Sequence, residues 1–335
     1  MTMEFRRLGD SGLEVSVVCL GTMTFGDRTD AAEAQRIVDA AFDAGVNFID
    51  TADAYSKGGS ERIVGAAIKA NRRLLILATK VANVMNGKPY DGGLSRRWIQ
   101  LACDDSLARL GTDYIDIYYL HKDDPDTPLA ETIGAMGDLI KCGKVRYFGV
   151  SNHRGWRIAE VVAECEAQGV PRPVVCQPYY NLLNRMPEVE ILPACDYYGL
   201  GVAPYSPIAR GVLTGKYRGG NAPPDSRAGV KDQRLMETEF RAESLAIAEK
   251  LEAHAKKTGR TPTQFALAWL WANRIVSSVI AGPRTLAQWR EYVDAIGTPW
   301  DAEDEALVDS LVRPGHPSTP GYSDPQYPFF GRILE

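Results

Sequence analysis

Val46-Asn47-Phe48-Ile49-Asp50-Thr51-Ala52-Asp53-Ala54-Tyr55 runs from an apolar segment straight into two acids and a phenol, and it ends in the turn-rich Ser56-Lys57-Gly58-Gly59-Ser60. An apolar run that gives out into a polar loop is the signature of a buried strand emerging at a surface, where rigid backbone meets access. Two later segments end in the same way. Residues 73–79 close on Lys80, and residues 114–120 close on His121. Four proton-handling side chains therefore stand at the ends of three successive strands.

The pattern repeats along the chain. Residues 3–15 read as a hairpin turning at Gly9-Asp10-Ser11-Gly12, followed by a buried strand over 15–20. Asp30 or Thr29 caps a helix to about Ala44, with Ala34, Ile37, Val38 and Ala41 on one face. Strands are expected at 46–49, 74–79, 114–120, 145–150, 173–177, 200–204 and 276–280. Between them fall helices at about 60–70, 95–110, 128–141, 154–167, 187–198 and 241–273, the last broken near Gly259-Arg260-Thr261-Pro262, and another follows at 285–296. Eight strands alternating with helices predict a closed (β/α)₈ TIM barrel forming one domain over residues 1–335. An open doubly wound sheet is the alternative, but no GxGxxG opens the first βα turn. Two segments exceed what a barrel needs: a Gly/Pro-rich loop over 206–239 after the seventh strand, and a tail over 314–335. The tail carries Tyr322, Tyr327, Phe329 and Phe330 and is expected to pack over the barrel as a pocket wall or an outer seal.

Composition narrows the function classes. The chain has 335 residues and a formal net charge of -5, and its basic residues occur in isolated pairs, which disfavours nucleic-acid binding. Six scattered cysteines without a CxxC pair and four distant histidines give no metal-ligand spacing. The N-terminus lacks a signal-peptide apolar stretch and no run is long enough to span a membrane, so a cytoplasmic enzyme is expected.

Brought to one barrel mouth, Tyr55, Lys80, Asp50 and His121 can perform general acid–base chemistry. A free phenol titrates near ~10, and an adjacent ammonium is expected to lower that value. Asp50 would keep Lys80 charged, and His121 would help place a carbonyl oxygen for Tyr55 to protonate. A phosphate is expected near the loops after strands seven and eight, where Arg284 and Gly282 open a helix.

The string from Phe48 to Tyr55 with Gly59-Ser60-Glu61, then Lys80, then Tyr119-Leu120-His121, resembles the aldo-keto reductases, in the branch of bacterial reductases and potassium-channel β subunits. The resemblance covers nearly the whole chain and implies Asp50, Tyr55, Lys80 and His121 as the catalytic tetrad. It implies NADP(H), preferred over NAD(H), as cofactor, with Ser151, Asn152 and Gln177 at the nicotinamide amide and Tyr205 stacked on the ring. Gly21, Thr22, Met23 and Asp50 would border the same ring. Tyr205 to Tyr217 resembles a pyrophosphate loop, bringing in Ser206, Pro207, Ile208, Ala209, Arg210, Gly211 and Lys216, with Arg227 in a clasp. Arg284 would meet the 2′-phosphate, with Gln288 and Glu291 beside the adenosine and Tyr292 where many members carry Asn. Loop position suggests Phe25, Met23, Tyr90, Trp98 and Tyr322 as substrate contacts. The implied activity interconverts a small-molecule carbonyl and an alcohol. A cofactor-bound regulatory or docking module is the alternative. Sugars, small aldehydes, aromatic aldehydes and polycyclic ketones or alcohols all remain open as substrates, as does the oligomeric state.

Overall fold

The computed structural model describes residues 3–85, 87–88 and 90–328. A hairpin of β1 (Phe5–Arg7) and β2 (Glu14–Ser16) comes first, with Arg6 opposite Val15. Eight parallel strands follow: β3 (Val18–Gly21), β4 (Phe48–Asp50), β5 (Ile76–Val81), β6 (Ile115–Leu120), β7 (Val145–Ser151), β8 (Val175–Gln177), β9 (Gly201–Val202) and β10 (Val279–Ala281). They pair in chain order, and β10 returns to lie beside β3. Between β9 and β10 the circle is joined by a bridge of Val202 with Val276 and by Ile280 N donating to Pro204 O at 3.0 Å. The expected (β/α)₈ barrel with its N-terminal hairpin is what forms.

Helices α1 (Ala31–Asp43), α2 (Gly59–Ile68), α3 (Arg96–Leu110), α4 (Leu129–Lys141), α5 (Gly155–Gln168) and α6 (Ile191–Tyr198) cover the outside of the sheet in turn. The capping signals act as read: Asp30 accepts from Glu33 N, Ser95 accepts from Trp98 N, and Gly111 ends α3 in the left-handed region. The apolar stripe Ala34, Ile37, Val38 and Ala41 is buried.

Several boundaries move. The third barrel strand starts at Ile76 rather than 74, because Arg72–Leu74 forms a 3₁₀ turn tied down by Arg72 Nη2 donating to Tyr114 O, which leaves Leu74 exposed. The loop after β9 is not structureless. It holds α7 (Gln233–Thr238) before α8 (Ala242–Lys257) and α9 (Pro262–Ala272). Beyond α10 (Leu286–Val293), an unexpected α11 (Ala302–Leu311) starts at a capping box of Asp301 and Asp304.

Period-two alternation fills the barrel interior. Phe48, Ala78, Ile117 and Val175 form one buried cluster with Leu8 and Val15 of the hairpin, which sits at the strand starts: Asp10 N donates to Gly199 O, and Ser277 Oγ to Arg7 O. Two residues further along their strands, Asp50, Lys80 and Tyr119 follow the same inward phase toward the opposite end, and His121 continues it two residues beyond Tyr119. Gly149 makes room there, since a Cβ would meet the Tyr119 ring at 2.7 Å.

The tail packs back on the barrel. Asp324 accepts a two-pronged ion pair from Arg234 of α7, Thr319 Oγ1 accepts from Arg241 Nε at 2.7 Å, and Tyr327 O accepts from Arg154 at 2.9 Å. Phe329 and Phe330 lie outside the described residues. No helix among the described residues is long and apolar enough to cross a membrane.

Candidate active site

At the C-terminal ends of the strands a cleft of about 900 Å³ opens. On its floor Lys80 Nζ donates to Asp50 Oδ1 at 2.5 Å, to Thr51 O at 2.7 Å and to Tyr55 OH at 3.1 Å. Asp50 is held from its other side by Gln177 Nε2 at 2.9 Å. Lys80 is 0% exposed and Asp50 1%, so this is an ion pair sealed from water, whose charges balance only against each other. Burial presses the Lys80 ammonium toward neutrality, but Asp50 and the Tyr55 oxygen together outweigh it and raise its pKa above the ordinary lysine value.

The phenol departs from expectation. Burial raises the Tyr55 pKa, and Lys80 pulls it down only in part, with Asp50 working against Lys80. The expectation of a net lowering counted the ammonium and omitted desolvation and the paired carboxylate. Tyr55 is thus a protonated phenol at neutral pH, with an ammonium placed to receive charge that develops on its oxygen.

His121 packs edge-on to Tyr55, with ring centroids 6.0 Å apart. Burial, then Lys80 and Lys122, push its pKa well below the usual histidine value, so the imidazole is neutral. Its Nδ1 lies 2.9 Å from Asn83 Nδ2. With that amide as donor, Nδ1 accepts and the ring proton sits on Nε2. Asn83 was missed from sequence, since it follows β5 in a loop without motif context. Behind Tyr55, burial and then the neighbouring Glu61 raise buried Asp53 to about 7.

Around the cleft wall, Asn152 Nδ2 donates to His121 O at 2.8 Å, and Tyr205 OH donates to Asn152 Oδ1 at 2.9 Å. Ser151 Oγ donates to Gln177 O. After β9 the chain enters the left-handed region at Ser206, Ala209, Arg210 and Gly211, an unusual concentration of strained backbone. Gly211 takes φ +98°, which residues with a side chain rarely adopt, and the tip of Lys216 fills the space beside it.

The far end of the cleft is cationic. Arg284 and Arg28 both donate to the carbonyl of Asp225 at 2.9 Å, Arg227 pairs with Asp232, and Lys216 stands among them. Burial and then the repulsion of Arg284 and Arg227 push the Lys216 ammonium down to about 8. A lysine lowered in this way marks a place where positive charge exceeds what the protein itself neutralises.

The fold and this floor have counterparts in known proteins. Residues 17–313 match the Aldo/keto reductase family. A probable voltage-gated potassium channel subunit beta of Oryza sativa subsp. japonica is 39% identical over 300 residues, 88% of this chain and 91% of that protein. An uncharacterized oxidoreductase of Bacillus subtilis is 37% identical over 96% of this chain and 100% of its own length. An L-glyceraldehyde 3-phosphate reductase of Escherichia coli O157:H7 is 33% identical over 93% of each chain. The chain belongs to the aldo/keto reductase family.

For this family member the cleft gathers most of the sequence-derived positions. Gly21, Thr22, Met23, Asp50, Tyr55, His121, Ser151, Asn152, Gln177 and Tyr205 to Ile208 line it, as do Arg210, Gly211, Lys216, Arg227, Gly282, Arg284, Gln288 and Glu291. Lys80 lies beneath the lining, in contact with Tyr55. Ala209, in the same loop, is fully buried and is not among the lining residues.

The substrate residues read from loop position are scattered, and most lie away from the cleft. Phe25 is completely buried in the core, and Trp98 is buried at the start of α3. Tyr90 is 76% exposed, with Arg97 over its ring. None of the three borders the cleft. Tyr322 lines a neighbouring cavity instead, with Arg241 3.8 Å from its ring centre. Met23 does border the cleft. Residues not expected there include Asn83, Arg234, Gln326 and the run Thr261–Gln264 that starts α9, whereas Tyr327 comes from the tail read as a pocket wall or an outer seal. Tyr327 could be found from the aromatic bias of the tail, and Thr261–Gln264 from its capping box; Asn83 carries no such signal.

Proposed function

We propose that this chain is a cytoplasmic, single-domain NADP(H)-dependent oxidoreductase that interconverts a small carbonyl compound and the corresponding alcohol. One observation carries the reading: a phenol 3.1 Å from a buried, carboxylate-paired ammonium stands at one end of a cleft whose other end concentrates Lys216, Arg227 and Arg284. A dinucleotide with a phosphate on its adenosine suits that length and polarity, and the lowered Lys216 fits an anion that the chain itself does not provide.

The cofactor, when bound, supplies hydride to the carbonyl carbon or accepts it from the alcohol. In reduction the phenol of Tyr55 donates its proton to the carbonyl oxygen, so that hydride and proton complete the alcohol; oxidation reverses both transfers. Lys80 stabilises the phenolate left behind, and Asp50 keeps Lys80 charged and aimed. His121, neutral with its proton on Nε2, donates a hydrogen bond to the same oxygen and orients the carbonyl for attack. Ser151, Asn152 and Gln177 would fix the cofactor's carboxamide, with the flat face of Tyr205 against its ring. The strained turn at Ser206–Gly211 and the start of α10 direct backbone amides and cations toward phosphates.

Parallel fluorescence titrations with NADPH and NADH, followed by turnover of a carbonyl panel, test this. Tight NADPH binding with reduction of an aldehyde or ketone is the expected result, and failure to bind either nucleotide sinks the proposal. The relatives named as channel β subunits favour one second reading, a nucleotide-bound docking module. Tight binding without turnover of any carbonyl would select it.

A further inference from the structure

Of the two acids between Val46 and Tyr55, Asp50 pairs with Lys80, and the second, Asp53, belongs to another charged cluster closed to water. Asp53 follows β4, Glu61 sits in the first turn of α2, and Arg109 in the last turn of α3. Asp53 and Glu61 are both 0% exposed. The segment is fastened to the strand of the catalytic lysine, since Asp53 N donates to Lys80 O at 3.4 Å. One guanidinium thus faces two carboxyl groups in a space where an unmatched charge is expensive.

Hydrogen bonds decide which carboxyl takes the guanidinium. Glu61 Oε2 accepts from Arg109 Nε at 2.5 Å and Glu61 Oε1 from Thr79 Oγ1 at 2.6 Å, so both of its oxygens are satisfied. Asp53 Oδ1 accepts from the adjacent Ala54 N at 2.6 Å, and Asp53 Oδ2 is buried without a hydrogen-bond partner among the described residues. An ionised carboxylate so placed lacks both a cation of its own and the bonds that would spread its charge, whereas a carboxylic acid leaves only a neutral oxygen unpaired. The groups that face Asp53 are Glu61 from α2, Arg109 from α3, Lys80 from β5, Tyr118 from β6, and Tyr55 from the 3₁₀ turn that follows it. Burial and then Glu61 carry its pKa to about 7, against the Ala54 amide, Arg109 and Lys80.

The charge state of Asp53 reaches the reacting atoms through Lys80 and Tyr55. Ionised, it adds negative charge near both and disfavours the phenolate that Tyr55 becomes on giving up its proton. Neutral, it leaves Asp50 as the one carboxylate, among the described residues, that pairs with Lys80.

We propose that Asp53 is a positioning residue of the reaction: it enters the catalytic step as a neutral acid, held so by the Glu61–Arg109 pair, and leaves the charge of Lys80 undivided for the Tyr55 oxygen. The inference rests on the reductase reading. Asp53 gives up no proton in the step itself.

The test uses the full chain at saturating NADPH, so that the titration of Lys216 does not enter, and follows single-turnover oxidation of NADPH by the best carbonyl substrate of the panel. The wild-type rate is expected to fall by about three- to tenfold as pH rises through about 7. Asp53→Asn keeps the shape and cannot ionise, and its profile is expected to stay level across that range. Glu61→Gln removes the like charge, frees Arg109 to meet Asp53, and is expected to move the fall to lower pH. In wild-type protein with ¹³C-labelled aspartate carboxyl groups, one resonance is expected to titrate near neutrality, well above the ordinary aspartate value of about 4, and to be missing from Asp53→Asn. A level wild-type profile, a fall that neither variant alters, or the absence of any aspartate titrating near neutrality overturns the role of Asp53 and leaves the reductase reading standing. Failure to reduce any aldehyde or ketone overturns the reductase reading and this role with it.

Discussion

The two ends of the cleft handle positive charge in opposite ways. At the floor, Lys80 is completely buried, yet Asp50, Thr51 O and Tyr55 hold it, and its pKa rises. At the far end Lys216 is only partly buried, but its strongest neighbours are other cations, and its pKa falls to about 8. Burial acts on both in the same direction; the company each keeps decides the sign. In the proposed reading, the cation balanced inside the fold serves the chemistry and the one left unbalanced meets the cofactor's anion.

Breaking the balanced end should have the largest consequences. Tyr55→Phe removes the proton donor and is expected to lower turnover by about 10²- to 10⁴-fold, with NADPH titrations nearly unchanged. Activity close to wild type would remove Tyr55 from the mechanism. Lys80→Met leaves Asp50 as an uncompensated buried charge and is expected to cost about 3–5 kcal/mol of stability, read by denaturant unfolding, along with most of the turnover. A variant as stable as wild type would show that the pair is not as sealed as its burial implies.

Smaller effects belong to the unbalanced end. Arg284→Ala is expected to weaken NADPH by about tenfold, as loss of one exposed charge-assisted contact would, and NADH hardly at all. Equal weakening of both nucleotides would make Arg284 structural. The smallest effect is a pH dependence. A bound anion raises the Lys216 pKa, so binding takes up a proton once the free lysine begins to lose its own. NADPH affinity should therefore be level below pH 8 and fall as pH rises through the free-state value of about 8, never more steeply than tenfold per unit. In Arg284→Ala the repulsion is relieved and the fall should begin at higher pH. A flat profile in both proteins would separate Lys216 from the anion.

Much of the barrel was legible because its signals are local and redundant. Ser95 and Gly111 bracket α3 as read, and the alternation that buries Phe48 and Ala78 also delivers Asp50 and Lys80 to the interior. The four-residue cluster was legible because Asp50, Lys80 and His121 stand at strand ends that the topology brings together, and Tyr55 opens the 3₁₀ turn shortly after β4. Other features depend on competition at a distance. The direction of the Tyr55 shift follows from desolvation, which no motif records. Trp98 faces the core because it lies on the inner side of the first turn of α3, and Phe25 is drawn inward where Ser56 Oγ donates to its carbonyl. Loop position cannot distinguish a ring that walls a cleft from one that fills the core. The Asp301–Asp304 signature that opens α11 was present and readable, and only the low polarity contrast of the following helix hid it.

The hairpin at the strand starts gives the barrel a single opening. With Leu8 and Val15 set into the interior beneath Phe48 and Ile117, the sealed pair of Lys80 and Asp50 has a dry floor below it. Under the proposed mechanism, every proton that replenishes Tyr55 would then arrive from the same side as the substrate. Reprotonation and substrate occupancy would share one doorway, and product departure would time the resetting of the acid.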